Sequence, residues 1–176
     1  MKIIVVMQNA IKCCLVVLVS LAFGATTAWA ADAVTSDTLH IDIPVELSRA
    51  NVVFNMDHVA FEGDNPTGLN YMSLMVERFA QAKTQSDLIA IFHGEIGFML
   101  LDDARYNAVR HTNRGNPYKT MIAQLQSKGV RFEECGETAH GNGWLNADFL
   151  PGVKVNAAAN LRIVQLVQQG YVQIQP

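Results

Sequence analysis

Apolar residues follow two different rhythms along this chain, and these rhythms predict strands that alternate with helices. Residues 52–56 form a short apolar run broken by one polar residue, and residues 88–92 are apolar without interruption. Such runs are typical of strands that are buried on both faces. Between them, residues 68–83 repeat their apolar positions every three or four residues, which is the period of an amphipathic helix.

The remaining patterns continue this alternation to the C-terminus. Further helical segments are predicted at residues 96–101, 103–110, 117–128 and 157–169, and further strands at 130–134, 153–155 and 171–174. Asn116 is predicted to cap the helix at 117–128, with Pro117 at its first position and Gly129 at its stop. This spacing predicts one three-layer α/β domain, in which helices flank a mainly parallel sheet of about five strands.

Residues 39–45 alternate strictly between apolar and polar side chains. Leu39, Ile41, Ile43 and Val45 are the apolar positions, and Pro44 lies among them. Because proline has no N–H to donate, it is tolerated in an edge strand and not in a central one. The pattern therefore predicts an edge strand that packs against the domain or against a neighbouring subunit.

The N-terminal residues have the pattern of an export signal. Two lysines are the only charges before an apolar run at residues 13–23, and a small-x-small motif ends at Ala30, where signal peptidase would cleave. The apolar run is too short for a comfortable membrane span. We therefore predict a periplasmic protein with no membrane anchor after cleavage, divided into a signal peptide at 1–30, a mobile leader at 31–38 and a folded domain at 39–176.

Charge and cysteine content narrow the function classes. Without Lys2 and Lys12 the exported chain has 11 basic and 16 acidic side chains, so it lacks the basic surface that nucleic-acid binding requires. Cys13 and Cys14 also leave with the signal, which makes Cys135 the single cysteine of the exported domain. One cysteine cannot form an intramolecular disulfide, and an unpaired thiol in an oxidising compartment is buried, engaged or used.

The residues that directly follow the predicted strands are the candidate site. Parallel strands place their C-terminal ends at the same edge of a sheet, where ligands and chemistry are usually found. Three strands contribute two residues each at this edge: Asp57 and His58, His93 and Gly94, and Cys135 and Gly136. We expect catalytic roles for Cys135, His93 and His58, and substrate contacts from Asp57, Gly94 and Gly136.

Competing effects act on the reactivity of the thiol. A histidine could accept its proton, and the N–H groups of a helical turn at residues 137–140 would stabilise the thiolate. Glu133, Glu134 and Glu137 would raise the thiol pKa if they faced it. Since neighbouring residues of a strand point to opposite faces, only one of Glu133 and Glu134 can do so. We therefore expect the pKa of Cys135 to lie below the ~8.5 of a free cysteine, whereas a buried structural cysteine remains the alternative.

Other kinds of site are less well supported by the sequence. The side chains of aspartate, histidine and cysteine all bind zinc or copper, but no paired spacing such as C-x-x-C or H-x-x-x-H occurs, so no metal is assigned. Glycine-rich phosphate motifs and the G-x-S-x-G elbow are missing from the sequence as well. We therefore expect no cofactor.

Taken in order and spacing, several short motifs resemble the DsrE/DsrF-like family, in an exported branch similar to YchN-like proteins. They are 52–58 (VVFNMDH), 92–94 (FHG), 116–117 (NP), 129–130 (GV) leading to 135–136 (CG), 150–153 (LPGV) and 169–171 (QGY). The resemblance implies a five-stranded parallel sheet and assembly into trimers or hexamers. It also implies that Cys135 carries a persulfide, as the equivalent cysteine does in sulfur-relay members.

Two function classes follow. The first is a periplasmic carrier in which Cys135 binds or relays sulfane sulfur, with a donor and an acceptor that the sequence does not name. The second is a non-catalytic homo-oligomeric module that binds a small ligand or a metal and has a structural cysteine. Reactivity of the thiol distinguishes them.

Overall fold

A parallel sheet forms the centre of the computed structural model, which describes residues 39–176. In chain order the strands are β1 (Arg49–Met56), β2 (Phe61–Glu62), β3 (Asn65–Pro66), β4 (Gln85–Phe92), β5 (Arg131–Cys135), β6 (Lys154–Asn156) and β7 (Val172–Ile174). Five of them form the sheet in the spatial order β6-β5-β4-β1-β7, with every neighbouring pair parallel. The two short strands β2 and β3 pair as an antiparallel hairpin.

Helices connect the strands. The α-helices are α1 (Thr67–Ala82), α2 (Asp103–Arg110), α3 (Lys119–Ser127), α4 (Gly136–Gly141) and α5 (Ala159–Gln168), and 3-10 helices occur at Gly94–Leu100 and Asn146–Asp148. The alternation inferred from the sequence is therefore confirmed.

The two faces of the sheet bury separate apolar clusters. On one face Phe54 and Phe92 pack with α1, α3 and the first 3-10 helix, and on the other face Val53 and Ile91 pack with α5. Strand side chains alternate between faces, so the unbroken apolar run of β4 is explained by cover on both sides. The predicted three-layer α/β architecture is confirmed.

The predicted edge strand at residues 39–45 is wrong. These residues form no strand, and their four apolar side chains are exposed. Alternation makes a segment suitable for a sheet edge, but a strand also needs a backbone partner, and none lies within the part of the chain that the structure describes.

Asn116 does not cap α3 in the predicted way. The helix begins at Lys119, and the Asn116 side chain accepts a hydrogen bond from the Tyr118 N–H at 2.8 Å, just before it. The Asn116 amide also donates to the carbonyls of Met99 and Leu101, at 2.8 and 2.6 Å. The residue therefore joins the start of α3 to the end of the first 3-10 helix.

Residues 43–176 form one compact unit, and residues 39–42 belong to a separate N-terminal unit. No helix within residues 39–176 is long and apolar enough to cross a membrane. The predicted signal peptide and leader lie outside the described residues. The start of the domain at residue 39 therefore stays a prediction.

Candidate functional site at the sheet edge

Three neighbouring strands end at the same edge of the sheet. Met56 of β1 lies opposite Phe92 of β4, and Phe92 lies opposite Glu134 of β5. The residues that follow these positions, including Cys135 at the last position of β5, therefore lie along one edge. The expected meeting of the strand ends is observed.

The Cys135 thiol lies between the N-terminal ends of two helices. Cys135 occupies the N-cap position of α4, the place from which a side chain meets the free N–H groups of the first helical turn. From the other side, the N–H of Ala159 at the start of α5 donates to the sulfur at 3.3 Å. The residue is 5% exposed, so the thiol is buried where it meets the backbone N–H of Ala159.

These donors lower the pKa of the thiol. Burial raises the pKa of Cys135, but hydrogen bonds from the backbone of Thr138 and Ala159, from the Thr138 hydroxyl and from the backbone of Glu137 outweigh it and bring the pKa below its ordinary value. Each of these bonds favours the anion. The helical contribution expected from the sequence is therefore present.

Thr138 connects the thiol to the end of β4. Its hydroxyl oxygen accepts a hydrogen bond from the Gly94 N–H at 2.9 Å, and the same hydroxyl group helps to lower the pKa of the Cys135 thiol. Gly94 has φ +66°, a left-handed conformation that glycine adopts without strain. Gly94 therefore contributes through Thr138, and its N–H is already occupied.

Gly136 allows a close approach between β5 and β6. A Cβ atom at this position would lie 2.6 Å from the carbonyl oxygen of Asn156 and 3.2 Å from that of Ala157. These two carbonyls come just before the start of α5, whose first N–H binds the thiol. The absence of a side chain at Gly136 is therefore a condition for the geometry around the sulfur.

The two histidines are engaged elsewhere. His93 is half-buried, and its Nε2 lies 2.8 Å from the Asn55 amide oxygen. His58 is exposed, and its Nδ1 lies 2.5 Å from Asp57 Oδ1. The Cys135 sulfur accepts a hydrogen bond from the Ala159 N–H of α5, and an acid-base role for either imidazole stays a prediction.

Asp57 is held on both carboxylate oxygens. One oxygen meets His58, and the other accepts from the Gln175 side chain at 2.7 Å. The hydrogen bond from His58 lowers the pKa of Asp57 most, burial opposes it, and the bond from Gln175 lowers it further. Asp57 therefore remains ionised near neutral pH and fixes the His58 ring beside the edge.

The glutamates near the thiol are neutralised in different ways. Glu133 is buried on the α5 face and forms a paired contact with Arg162, with distances of 2.9 Å to Nε and 2.8 Å to Nη2. Glu134 points to the opposite face and has no exposed surface. Burial, and to a smaller extent the negative charge of Cys135, raise the pKa of Glu134 to about 9. Glu134 is therefore a neutral acid at pH 7 and does not oppose the thiolate.

Glu134 packs against the first 3-10 helix. A Cβ atom at Gly97 would lie 2.6 Å from Glu134 Oε1, so the missing side chain at Gly97 makes room for the carboxyl group. Neither carboxyl oxygen has a hydrogen-bond partner within residues 39–176. A carboxylate in such a place is costly, which is the physical cause of the high pKa.

Potential metal ligands do not gather at this edge. Within residues 39–176, no group of three or more histidine, cysteine, aspartate or glutamate side chains could hold a metal ion. A pocket of about 320 Å³ lies at the N-terminal end of α5, lined by Asn156, Ala157, Ala158, Leu161, Arg162 and Gln165. Ala159, whose N–H donates to the thiol, directly follows this lining in the chain.

Sequence reasoning missed four residues of this site. Thr138 had a usable signal, since it is three residues after a cysteine that precedes a helix, and an N-cap side chain meets the N–H groups two and three residues on. Ala159, Arg162 and Asn55 had none. They lie far from Cys135, Glu133 and His93 in the chain, and only folding brings them together.

Replacing Thr138 with valine is expected to raise the pKa of Cys135 by about one unit, because a hydrogen bond to a charged group is worth about 1.5 kcal/mol or more. Alkylation rates measured against pH report the midpoint. Thr138→Ser is the matched control, because it keeps the hydroxyl and should keep the native midpoint. A native midpoint in both variants would contradict the assignment of Thr138.

The same measurement tests the histidines. If an imidazole pairs with the thiolate, His93→Ala or His58→Ala moves the midpoint upward. If both variants keep the native midpoint while Thr138→Val does not, the thiolate is stabilised by the helix donors and the hydroxyl without histidine.

The fold and the site together define a class: a three-layer α/β protein that presents one thiol at the carboxyl edge of a parallel sheet. The DsrE/DsrF-like family matches residues 58–176, and the chain belongs to that family. No curated protein matches the chain.

Two solved structures are similar in fold. A protein of unknown function from Methanobacterium thermoautotrophicum, MTH1491, is 23% identical with a TM-score of 0.57, and the match covers 72% of this chain and 99% of that one. The ychN protein from E. coli is 15% identical with a TM-score of 0.52 and the same coverage of both chains. At these identities the likeness shows the fold. The resemblance to the DsrE/DsrF-like family is confirmed, whereas the exported branch stays a prediction.

Proposed function

We propose that this protein is a periplasmic carrier that binds or relays sulfane sulfur as a persulfide on Cys135. The observation that carries the proposal is the position of the thiol, which accepts a hydrogen bond from the Ala159 N–H and whose pKa is also lowered by Thr138 and Glu137 of α4. Membership of the DsrE/DsrF-like family supports it, because sulfur relay is associated with that family. The export pattern in residues 1–30 supports the location.

The transfer needs one thiolate and a donor with a sulfur–sulfur bond, such as inorganic polysulfide. The Cys135 thiolate attacks a sulfane sulfur, a bond forms between Sγ and that sulfur, and the bond to the rest of the donor breaks. The donor leaves with the electron pair as the shortened polysulfide. No second cysteine, oxidant or cofactor is required, which fits the single cysteine of the exported domain.

The surrounding groups have separate roles in this proposal. Thr138 and the N–H of Ala159 stabilise Cys135 Sγ as the anion that attacks the donor. After the transfer the negative charge lies on the outer sulfur of the persulfide. His93 or His58 assists removal of the proton, and Asp57 orients His58. Charge at the site stays low because Glu133 is paired with Arg162 and Glu134 is neutral.

We propose further that the carrier is a homo-oligomer, a trimer or hexamer as the resemblance implies. The outer face of α5 supports self-assembly, since Leu161, Val164 and Val167 are 70%, 54% and 47% exposed. The single charge of α5, Arg162, is engaged by Glu133. An uncharged apolar face is typical of the centre of an interface between subunits.

Incubation of the purified protein with polysulfide is expected to add the mass of one sulfur atom to the chain. Mass spectrometry of the intact protein measures the gain, and reduction by a thiol should remove it. Cys135→Ser is the control and should gain nothing. A native chain that gains no mass would contradict the proposal of a sulfur carrier.

The burial of Cys135 favours a second function. The residue is only 5% exposed, as a structural cysteine would be. In that case the chain is an oligomeric module that binds a small ligand or a metal. Labelling of the native protein with a small alkylating reagent distinguishes the two. A thiol that reacts only after unfolding favours the module.

A further inference from the structure

A cavity of about 350 Å³ lies where α2 ends and the chain turns toward α3. It is lined by Tyr106, Arg110, Thr112, Arg114, Gly115 and Pro117. Two of these residues are arginines, and none is an aspartate or a glutamate. Cavities that bind small molecules begin at about 300 Å³, so this one is large enough for a small ligand and its lining carries charge of one sign.

Both arginines lack a protein partner for their charge. Within residues 39–176, the arginine side chains in hydrogen bonds or ion pairs are Arg78, Arg105, Arg131 and Arg162. The guanidinium N–H groups of Arg110 and Arg114 are therefore available to a ligand. The Asp103 carboxylate, which bonds to the loop, is also paired with Lys119. Because a cleft lined by charge of one sign concentrates counter-ions, this cavity should attract anions although the chain as a whole is acidic.

An aromatic cluster holds the Arg110 side chain in place. The guanidinium carbon lies 4.4 Å from the centre of the Phe98 ring, and this ring packs with those of Tyr106 and Tyr118. A contact with the face of a ring positions an arginine, but it does not neutralise the charge as a carboxylate would. Arg110 is therefore positioned at the cavity and remains a cation without a counter-ion.

Hydrogen bonds fix the loop that bears Arg114. The Gly115 N–H donates to the Asn107 side chain, and the Asn116 N–H donates to the Asp103 side chain, both at 2.8 Å. Gly115 has φ +75°, and a Cβ atom there would lie 2.7 Å from Asp103 Oδ1, so only glycine permits this approach without strain. A cavity wall that is fixed before the ligand arrives costs less entropy on binding.

We propose that this cavity binds a phosphate group, either as the free ion or as the ester of a small organic molecule, between Arg110 and Arg114. Planar guanidinium groups match phosphate oxygens, since each can donate two parallel hydrogen bonds. Two cations also suit a group that carries a charge of about −1.5 to −2 at pH 7. The Thr112 hydroxyl accepts from the Arg114 N–H at 3.4 Å, which leaves its hydrogen for the ligand. Tyr106 and Pro117 supply a wall for the organic part of an ester.

Calorimetric titration with inorganic phosphate tests the site. The purified protein should bind one phosphate per chain in a saturable manner, in a buffer without other multivalent anions. Arg114→Gln should weaken this binding on the order of tenfold, which is the effect of one lost charge-assisted hydrogen bond. Its side chain is exposed and bonds to no described residue, so the variant should fold as the native protein does.

Arg78→Gln is the matched control for this titration. It removes the same charge from an exposed position of α1 and should keep the native affinity for phosphate. An equal loss in Arg78→Gln and Arg114→Gln would mean that only the net charge matters, and a native protein without saturable binding would mean that the cavity holds no phosphate. Either result overturns the proposal.

Amide chemical shifts locate the bound phosphate and separate this site from the thiol. Addition of phosphate should shift the amides of residues 110–115 and leave those of residues 156–162, at the start of α5, unchanged; the reverse pattern would overturn the proposal. Cys135→Ser should bind phosphate with native affinity, so the result does not depend on sulfur transfer. Phenyl phosphate distinguishes the two sources of the group. Binding on the order of tenfold tighter than that of inorganic phosphate supports an organic ester, and equal affinity supports the free ion.

Discussion

Replacing Glu134 with glutamine is expected to raise the free energy of unfolding at pH 7 by about 3 kcal/mol. The carboxyl group is fully buried and lacks a hydrogen-bond partner among the described residues. Its pKa is raised by burial from 4.5 to about 9 in the folded protein, so folding must take up a proton at pH 7 that the unfolded chain does not hold. Glutamine has the same shape and needs no proton.

The sign of the pH dependence follows from that shift. Between pH 4.5 and about 9, the folded state holds one proton more than the unfolded state, so stability falls by about 1.4 kcal/mol for each pH unit. Below this window the contribution of Glu134 is complete, and above it the loss is complete. Urea titrations across the window should show this slope in the native protein and a shallower slope in Glu134→Gln.

The neighbouring position provides the control. Glu133→Gln removes one charge from the same strand, but it leaves Arg162 without the carboxylate that binds it. A lost hydrogen bond between charged groups costs about 2 kcal/mol, so this variant should be less stable than the native protein. If both variants lost stability, Glu134 would be ionised or bonded in the folded state, and the assignment of a neutral acid would be wrong.

Replacing Gly136 with alanine is expected to lower the free energy of unfolding by about 2 kcal/mol and to raise the pKa of Cys135. The new Cβ atom would lie 2.6 Å from the backbone carbonyl of Asn156, and backbone atoms yield less easily than the end of a side chain. Separation of β5 from β6 would also displace the Ala159 N–H, which donates to the sulfur. Urea unfolding and the pH profile of alkylation measure the two effects.

Gly141→Ala is the matched control for this variant. Gly141 lies in the same helix, α4, and a Cβ atom there meets nothing within 4 Å. Alanine should therefore preserve stability or raise it by about 0.5 kcal/mol, as expected for a glycine replaced within a helix. Equal losses at both positions would mean that α4 tolerates no alanine, and that the contact with Asn156 is not the cause.

The local order of the fold was predictable from particular residues. Three short-range patterns carried this information. They are the apolar run that becomes β4, the helical repeat that becomes α1, and Gly129 in the turn that follows α3. Position along a parallel sheet was predictable too, because right-handed crossovers bring strand ends to one edge. That rule by itself places Cys135, His93 and Asp57 at the same edge.

The site was predictable only as far as local geometry reached. Period two gave opposite faces to Glu133 and Glu134, and the cap position of Cys135 gave the donors of α4. The pairing of Glu133 with Arg162 and the donor from Ala159 were not predictable, because each joins residues more than twenty positions apart. Residues 39–45 show the reverse limit, since their alternation predicted a strand without its partner.

By itself the sequence determined the order of strands and helices, the single thiol of residues 31–176 and its place after a strand. These properties depend on neighbours within a few residues, where side-chain period, proline and glycine act directly on the backbone. The tertiary structure alone decided which charges reach that thiol. Burial removed the charge of Glu134, and a distant arginine paired with Glu133, because desolvation and ion pairing depend on what packs around a group and not on what precedes it in the chain.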